Sequence, residues 1–106
     1  IKMDAEFFSL LKVLPVTEGY LPPILEYYES HDAESLARKL SSIQGFKGIT
    51  SPMIQTDEGW IPDFKSRYFT EDFPYGLKYI WQLAHEHGIK TPFIDMVYNW
   101  GLSKIQ

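Results

Sequence analysis

Seven prolines and seven glycines divide the 106 residues into short segments. A proline has no N–H to give a helix and pushes the residue before it away from helical geometry. Glycine reverses the chain at little steric cost. Regular elements must therefore be short, and hydrophobic periodicity says which kind they are. Phe7, Leu10, Leu11 and Leu14 form a helical stripe over residues 4–14, which Pro15 closes. Residues 20–23 read as a turn, with Pro23 placed as the first residue of a helix over residues 24–30, where a missing N–H costs nothing. A clearer helix is expected over residues 33–42, with Asp32 as N-cap, Leu36, Leu40 and Ile43 on one face, and Gly45 as its stop.

Between residues 46 and 72 the helical period disappears, and Gly48, Pro52, Gly59 and Pro62 break the chain. Residues 53–55 and 60–61 flank Thr56-Asp57-Glu58-Gly59, the pattern of a small hairpin whose tip needs Gly59 at positive φ. Helix resumes at Pro74, with Leu77, Ile80, Trp81 and Ala84 on one face and His85, His87 and Gly88 as its stop. Thr91-Pro92 then reads as N-cap and first-turn proline of a last helix reaching Leu102, with Phe93, Met96, Val97 and Trp100 on its inner face. The fold class that follows is mainly α. A short-helix bundle is expected, one domain over residues 1–106, with a hairpin excursion near residues 53–61 and a core dense in aromatic side chains.

Composition narrows the function. The absence of cysteine removes disulfides, cysteine zinc sites and a cysteine nucleophile, and fits a reducing, cytoplasmic setting. A net charge of −4 disfavours a nucleic-acid backbone as partner. No apolar run approaches the ~20 residues of a membrane span. The chain opens at Ile1 rather than a methionine and reads as a piece of something longer. His85 and His87 are two positions apart on a helix, so they diverge and cannot share one metal ion; at a helix C-terminus they suit the dipole. His31 reads as a surface turn residue. No HExxH, EF-hand, phosphate-loop or GxGxxG pattern occurs.

The most informative stretch is Arg67-Tyr68-Phe69-Thr70-Glu71-Asp72-Phe73-Pro74-Tyr75-Gly76-Leu77. Thr70, Glu71 or Asp72 at a helix entrance could simply cap it. The alternative is a site: a guanidinium can grip a carboxylate bidentately, and an aspartate can orient an imidazole and stabilise its charged form. Phe64, Tyr68, Phe69, Phe73 and Tyr75 around these polar groups would then wall them in.

This stretch, with Phe46-Lys47-Gly48-Ile49-Thr50-Ser51-Pro52 upstream and Gly88-Ile89-Lys90-Thr91-Pro92-Phe93-Ile94-Asp95 downstream, resembles the octopine/nopaline (opine) dehydrogenase family. The resemblance implies a C-terminal helical domain paired with an N-terminal dinucleotide-binding domain of the same polypeptide. It implies reduction by NAD or NADP of the imine formed between an amino acid and a 2-oxo acid. By the same resemblance Asp72 matches the aspartate that polarises a catalytic histidine, and Arg67 the arginine that engages a substrate carboxylate. Thr70 and Glu71 match the motif in shaping and capping roles. The family histidine lies well upstream of the aspartate and has no counterpart here. His85 stands thirteen residues after Asp72, mostly along one helix, and so roughly 15–20 Å away. The chain alone is therefore expected to be inactive. A stand-alone helical interaction module is the competing expectation.

Overall fold

A computed structural model describes residues 1–19 and 21–105. They form two compact units, Ile1–Ile49 and Thr50–Gln106. The expected turn at residues 20–23 includes Tyr20, which lies outside the described residues.

In the first unit, α1 spans Lys2–Leu11, α2 Ile24–Tyr27 and α3 Ala33–Ser42, followed by a 3₁₀ turn at Gln44–Phe46. The first helix starts earlier than its stripe suggests and ends sooner. Val13 and Leu14 donate to the carbonyls of Leu10 and Leu11 at 3.1 and 3.3 Å, a tightened last turn ahead of Pro15. Pro23 is not the first helical residue but the N-cap, extended at φ −56° and ψ 153°. The orphan donor therefore falls on Ile24, and a residue twenty positions away satisfies it: Asp4 Oδ2 accepts the Ile24 N–H at 3.0 Å. The second helix is also shorter than expected, because Glu29 turns the chain at φ +53°.

The third helix has the expected bounds and the expected cap. Asp32 Oδ1 accepts from Ser35 N–H at 2.8 Å, and Ser35 Oγ accepts from Asp32 N–H at 3.1 Å, a reciprocal capping box. The bonds from Ser35 hold the Asp32 carboxyl below its ordinary range. Its stop is Ile43, extended at ψ 116°, and Gly45 instead lies inside the 3₁₀ turn. Leu10 and Leu36 are the buried ones among the described residues of this unit.

The second unit opens with an antiparallel hairpin, β1 Met53–Thr56 and β2 Gly59–Pro62, in the register Ile54↔Ile61 and Thr56↔Gly59. Among described non-glycine residues only Glu29 has positive φ, so Gly59, at φ +128°, supplies the left-handed step that lets Asp57-Glu58 turn the chain. Helix resumes at Arg67 rather than Pro74: α4 spans Arg67–Thr70, with Ser66 as N-cap. A π-helical segment then runs over Asp72–Leu77 and leads into α5, Lys78–Glu86. Pro74 explains the change of pitch. It has no N–H for the Thr70 carbonyl, and past it the Glu71 carbonyl accepts from both Tyr75 (3.1 Å) and Gly76 (3.5 Å).

Gly88 ends α5 at φ +69°. The last helix, α6, spans Pro92–Ile105, passing the expected end at Leu102. Its buried face is Ile94, Tyr98 and Gly101, one step round from the face expected from Phe93, Met96, Val97 and Trp100; Met96 is 61% exposed. Thr91 stands at the N-cap position, but its hydroxyl donates to Asp95 Oδ1 at 2.9 Å. Phe64, Phe69, Phe73 and Trp100 form one ring cluster, with Phe69 and Phe73 stacked at 5.4 Å and 7°. The aromatic side chains are otherwise less buried than the composition suggests: among the described ones only Tyr98 is fully buried.

Candidate functional site

The short helix α4 and the first turn of the π segment present the polar motif. Phe69 and Thr70 both donate their N–H to the Ser66 carbonyl at 3.0 Å, which starts the helix. Arg67 Nε donates to Glu71 Oε2 at 3.1 Å, one turn along. That bond uses Nε, and with 86% of the Arg67 side chain exposed the outer edge of the guanidinium faces solvent. Thr70 Oγ1 donates back to the Ser66 carbonyl at 3.2 Å. Asp72 opens the π segment and is exposed. Neither the α4 entrance nor the π-segment entrance carries a side-chain cap.

Arg67, Glu71 and Asp72 line one open depression of about 330 Å³ with Pro52, Ser66 and Tyr68. Thr70 does not line it. The expected aromatic enclosure is not realised, because Phe64, Phe69 and Phe73 pack with Trp100 in the ring cluster and Tyr68 is the one aromatic residue on the depression. The charges thus sit at the rim of solvent, where an ion pair such as Arg67–Glu71 orients a side chain more than it stabilises the fold.

Ser66 escaped the sequence reading. Its Oγ is buried and has no hydrogen-bond partner among the described residues. A serine just before a helical run is the available signal, but that signal points to a cap, and this hydroxyl does not cap.

The histidines take structural positions. Nδ1 of His85 lies 2.8 Å from the Trp81 carbonyl, and Nδ1 of His87 lies 2.8 Å from the Leu83 carbonyl. A carbonyl only accepts, so each ring carries its proton on Nδ1 and closes the end of its own helix. His31 is exposed beside Asp32. Among the described residues no group of three or more His, Cys, Asp or Glu side chains could hold a metal ion. No helix among them is long and apolar enough to cross a membrane.

A dinucleotide does not fit the residues present. The described sheet is a two-stranded antiparallel hairpin, whereas a pyrophosphate is held at the turn between a parallel strand and its crossover helix. What the depression can offer is narrower: a guanidinium edge for a carboxylate, and a carboxylate five residues on for a cationic or hydrogen-bond-donating group.

Comparison with known proteins bears on the family and the fold. Residues 1–104 match the family model of the NAD/NADP octopine/nopaline dehydrogenase alpha-helical domain. The chain is 37% identical over 93 residues to the opine dehydrogenase of Haliotis discus hannai, covering 87% of this chain and 22% of that protein. It is 41% identical over 70 residues to the tauropine dehydrogenase of Arabella iricolor, covering 65% of this chain and 18% of the relative. A solved octopine dehydrogenase with NADH and pyruvate superposes with a TM-score of 0.78 at 25% identity, over 98% of this chain and 27% of that one. The chain thus spans about a fifth of the length of the curated relatives it matches. With a helical architecture and a family model covering nearly its whole length, this chain belongs to the alpha-helical domain family of the NAD/NADP octopine/nopaline dehydrogenases.

Proposed function

We propose that residues 1–106 act as one helical domain of a larger NAD(P)-dependent oxidoreductase that condenses an amino acid with a 2-oxo acid, and that the depression at Arg67 and Asp72 is its substrate floor. The observation that carries this reading is the placement of a guanidinium edge and a carboxylate on one open depression. The relatives support it: solved octopine dehydrogenases are described with NADH and pyruvate, and with NADH and L-arginine.

In this reading Arg67 donates to the carboxylate of the oxo acid or the amino acid, and Glu71, bonded to Nε, keeps the fork aimed. Asp72 accepts from a histidine contributed by the rest of the polypeptide, sets its tautomer and stabilises its charged form. Thr70, bonded to the Ser66 carbonyl, shapes the turn that carries them. NAD or NADP supplies hydride and is held by a dinucleotide-binding domain outside this chain. Cysteine-free composition fits a cytoplasmic enzyme.

Steady-state kinetics of Asp72→Asn in the full-length enzyme test the assignment. The isosteric change removes the charge, so kcat should fall by about 10²–10⁴ with cofactor affinity unchanged. Wild-type kcat would overturn it. The exposed Tyr75, Tyr79 and Trp60 favour a second reading, a helical interaction module. An upstream reading frame lacking a strand–GxGxxG–helix unit would favour that module.

A further inference from the structure

Gly101 stands in the interior of α6, where glycine is the poorest helix former after proline, and it is buried. The reason is local. A Cβ built on Gly101 would overlap Cδ1 and Cε1 of Phe73 and lie 2.6 Å from its Cγ, so the Phe73 ring occupies the space a side chain would need. Phe73 follows Asp72 directly in the π segment. Its ring stacks on Phe69 of α4 at 5.4 Å and 7°, and meets Trp100, next to Gly101, edge-on at 6.3 Å. The stack therefore joins the two backbone segments that carry Arg67 and Asp72. The backbone ladder carries the chain from Arg67 to Glu71, whose N–H donates to the Arg67 carbonyl at 3.0 Å, but it does not fix the turn that follows, because Pro74 has no N–H for the Thr70 carbonyl and the pitch changes over Asp72–Leu77.

We infer that Gly101 is a positioning residue for Asp72: the notch left by its missing side chain seats the Phe73 ring, and that seat sets how the π segment presents Asp72 to the depression beside Arg67. The inference rests on the substrate-floor reading above. A methyl group at residue 101 removes no polar group and collides first with the Phe73 ring. The backbone bearing Asp72 moves with it, since a close-packed cluster has no slack to absorb the overlap.

The test uses the full-length enzyme with Gly101→Ala, Phe73→Leu, the double variant, and Asp72→Asn as reference. Gly101→Ala should lower kcat by about tenfold or more while the KM for cofactor moves by less than about twofold. A leucine at residue 73 loses the rigid ring with its Cε1 and can rotate its Cδ methyls out of the notch, so the double variant should regain at least about half of the lost activity on a logarithmic scale. A purely structural role for Gly101 would lower the melting temperature without that split. Wild-type kcat in folded Gly101→Ala, or a loss that Phe73→Leu does not relieve, would overturn the inference. If Gly101→Ala yields no folded enzyme, Phe73→Leu alone decides: lowered kcat at wild-type cofactor KM supports the seat, and wild-type kcat sinks it. Asp72→Asn separates the two layers. Impaired Asp72→Asn beside unimpaired Gly101→Ala removes the positioning role alone, whereas unimpaired Asp72→Asn removes the floor reading and the inference with it.

Discussion

Replacing Arg67 by alanine in the full-length enzyme should raise the KM for one carboxylate substrate by about tenfold and leave the fold nearly untouched. Both halves of that expectation come from geometry. A hydrogen bond to a charged group contributes about 1.5–3 kcal/mol when sheltered. Arg67 is 86% exposed, so solvent screening argues for the low end, close to the ~1.4 kcal/mol that corresponds to a factor of ten. The intramolecular partner is lost as well, but the Arg67–Glu71 pair spans one helical turn at 3.1 Å with exposures of 86% and 52%. Such a pair contributes about 0.3–0.5 kcal/mol, which moves a melting temperature by no more than a few degrees. Initial-rate kinetics varying each substrate in turn, with thermal melts on the same preparations, separate the two effects. Arg67→Lys sharpens the assay, since it keeps the charge and loses the planar fork; its KM should fall between wild type and alanine. Unchanged KM for both substrates in Arg67→Ala, with or without a shifted melt, would refute the clamp.

Leu10→Ala should destabilise the protein by about 2–4 kcal/mol, read from urea midpoints, because Leu10 is 1% exposed and the cavity has little chance to collapse. Gly59→Ala should cost about 1–2 kcal/mol although nothing lies within 4 Å of the added carbon, since φ is +128° there and the penalty is backbone strain alone; a wild-type midpoint would count against that account. The Asp32 carboxyl is held below its ordinary value of 3.8 chiefly by the Ser35 backbone bond. A depressed carboxylate pKa adds stability above the unfolded pKa that is lost as pH falls through the folded one. Melts followed from pH 5 down to pH 2 should therefore show a smaller acid loss in Asp32→Asn than in wild type.

Much of the fold was legible because its causes are local. The α3 helix has the predicted bounds: Asp32 and Ser35 settle its start within three residues of each other. The hairpin was readable for the same reason, a glycine at the turn between two β-prone runs. Arg67, Glu71 and Asp72 were legible as a group because they lie within six residues of one motif; the helical turn that pairs Arg67 with Glu71 was not. Their setting was not. Packing of Phe64, Phe69 and Phe73 against one another and Trp100 in the half-buried ring cluster turned an expected enclosed pocket into an open depression, and periodicity cannot say which side of a ring faces the solvent.

What the sequence by itself determined are the features decided within about one helical turn: the Asp32 cap of α3, where Gly59 and Gly88 let the chain reverse, and which residues share the polar motif. The tertiary structure decided everything that needs a partner distant along the chain. Asp4 satisfies the Ile24 N–H across twenty residues. The buried face of α6 runs through Ile94, Tyr98 and Gly101, because Phe73 demands a glycine opposite its ring. A hydrophobicity pattern scores what a side chain brings, and at Gly101 the decisive property is the space it leaves empty, which exists only once another segment arrives to fill it.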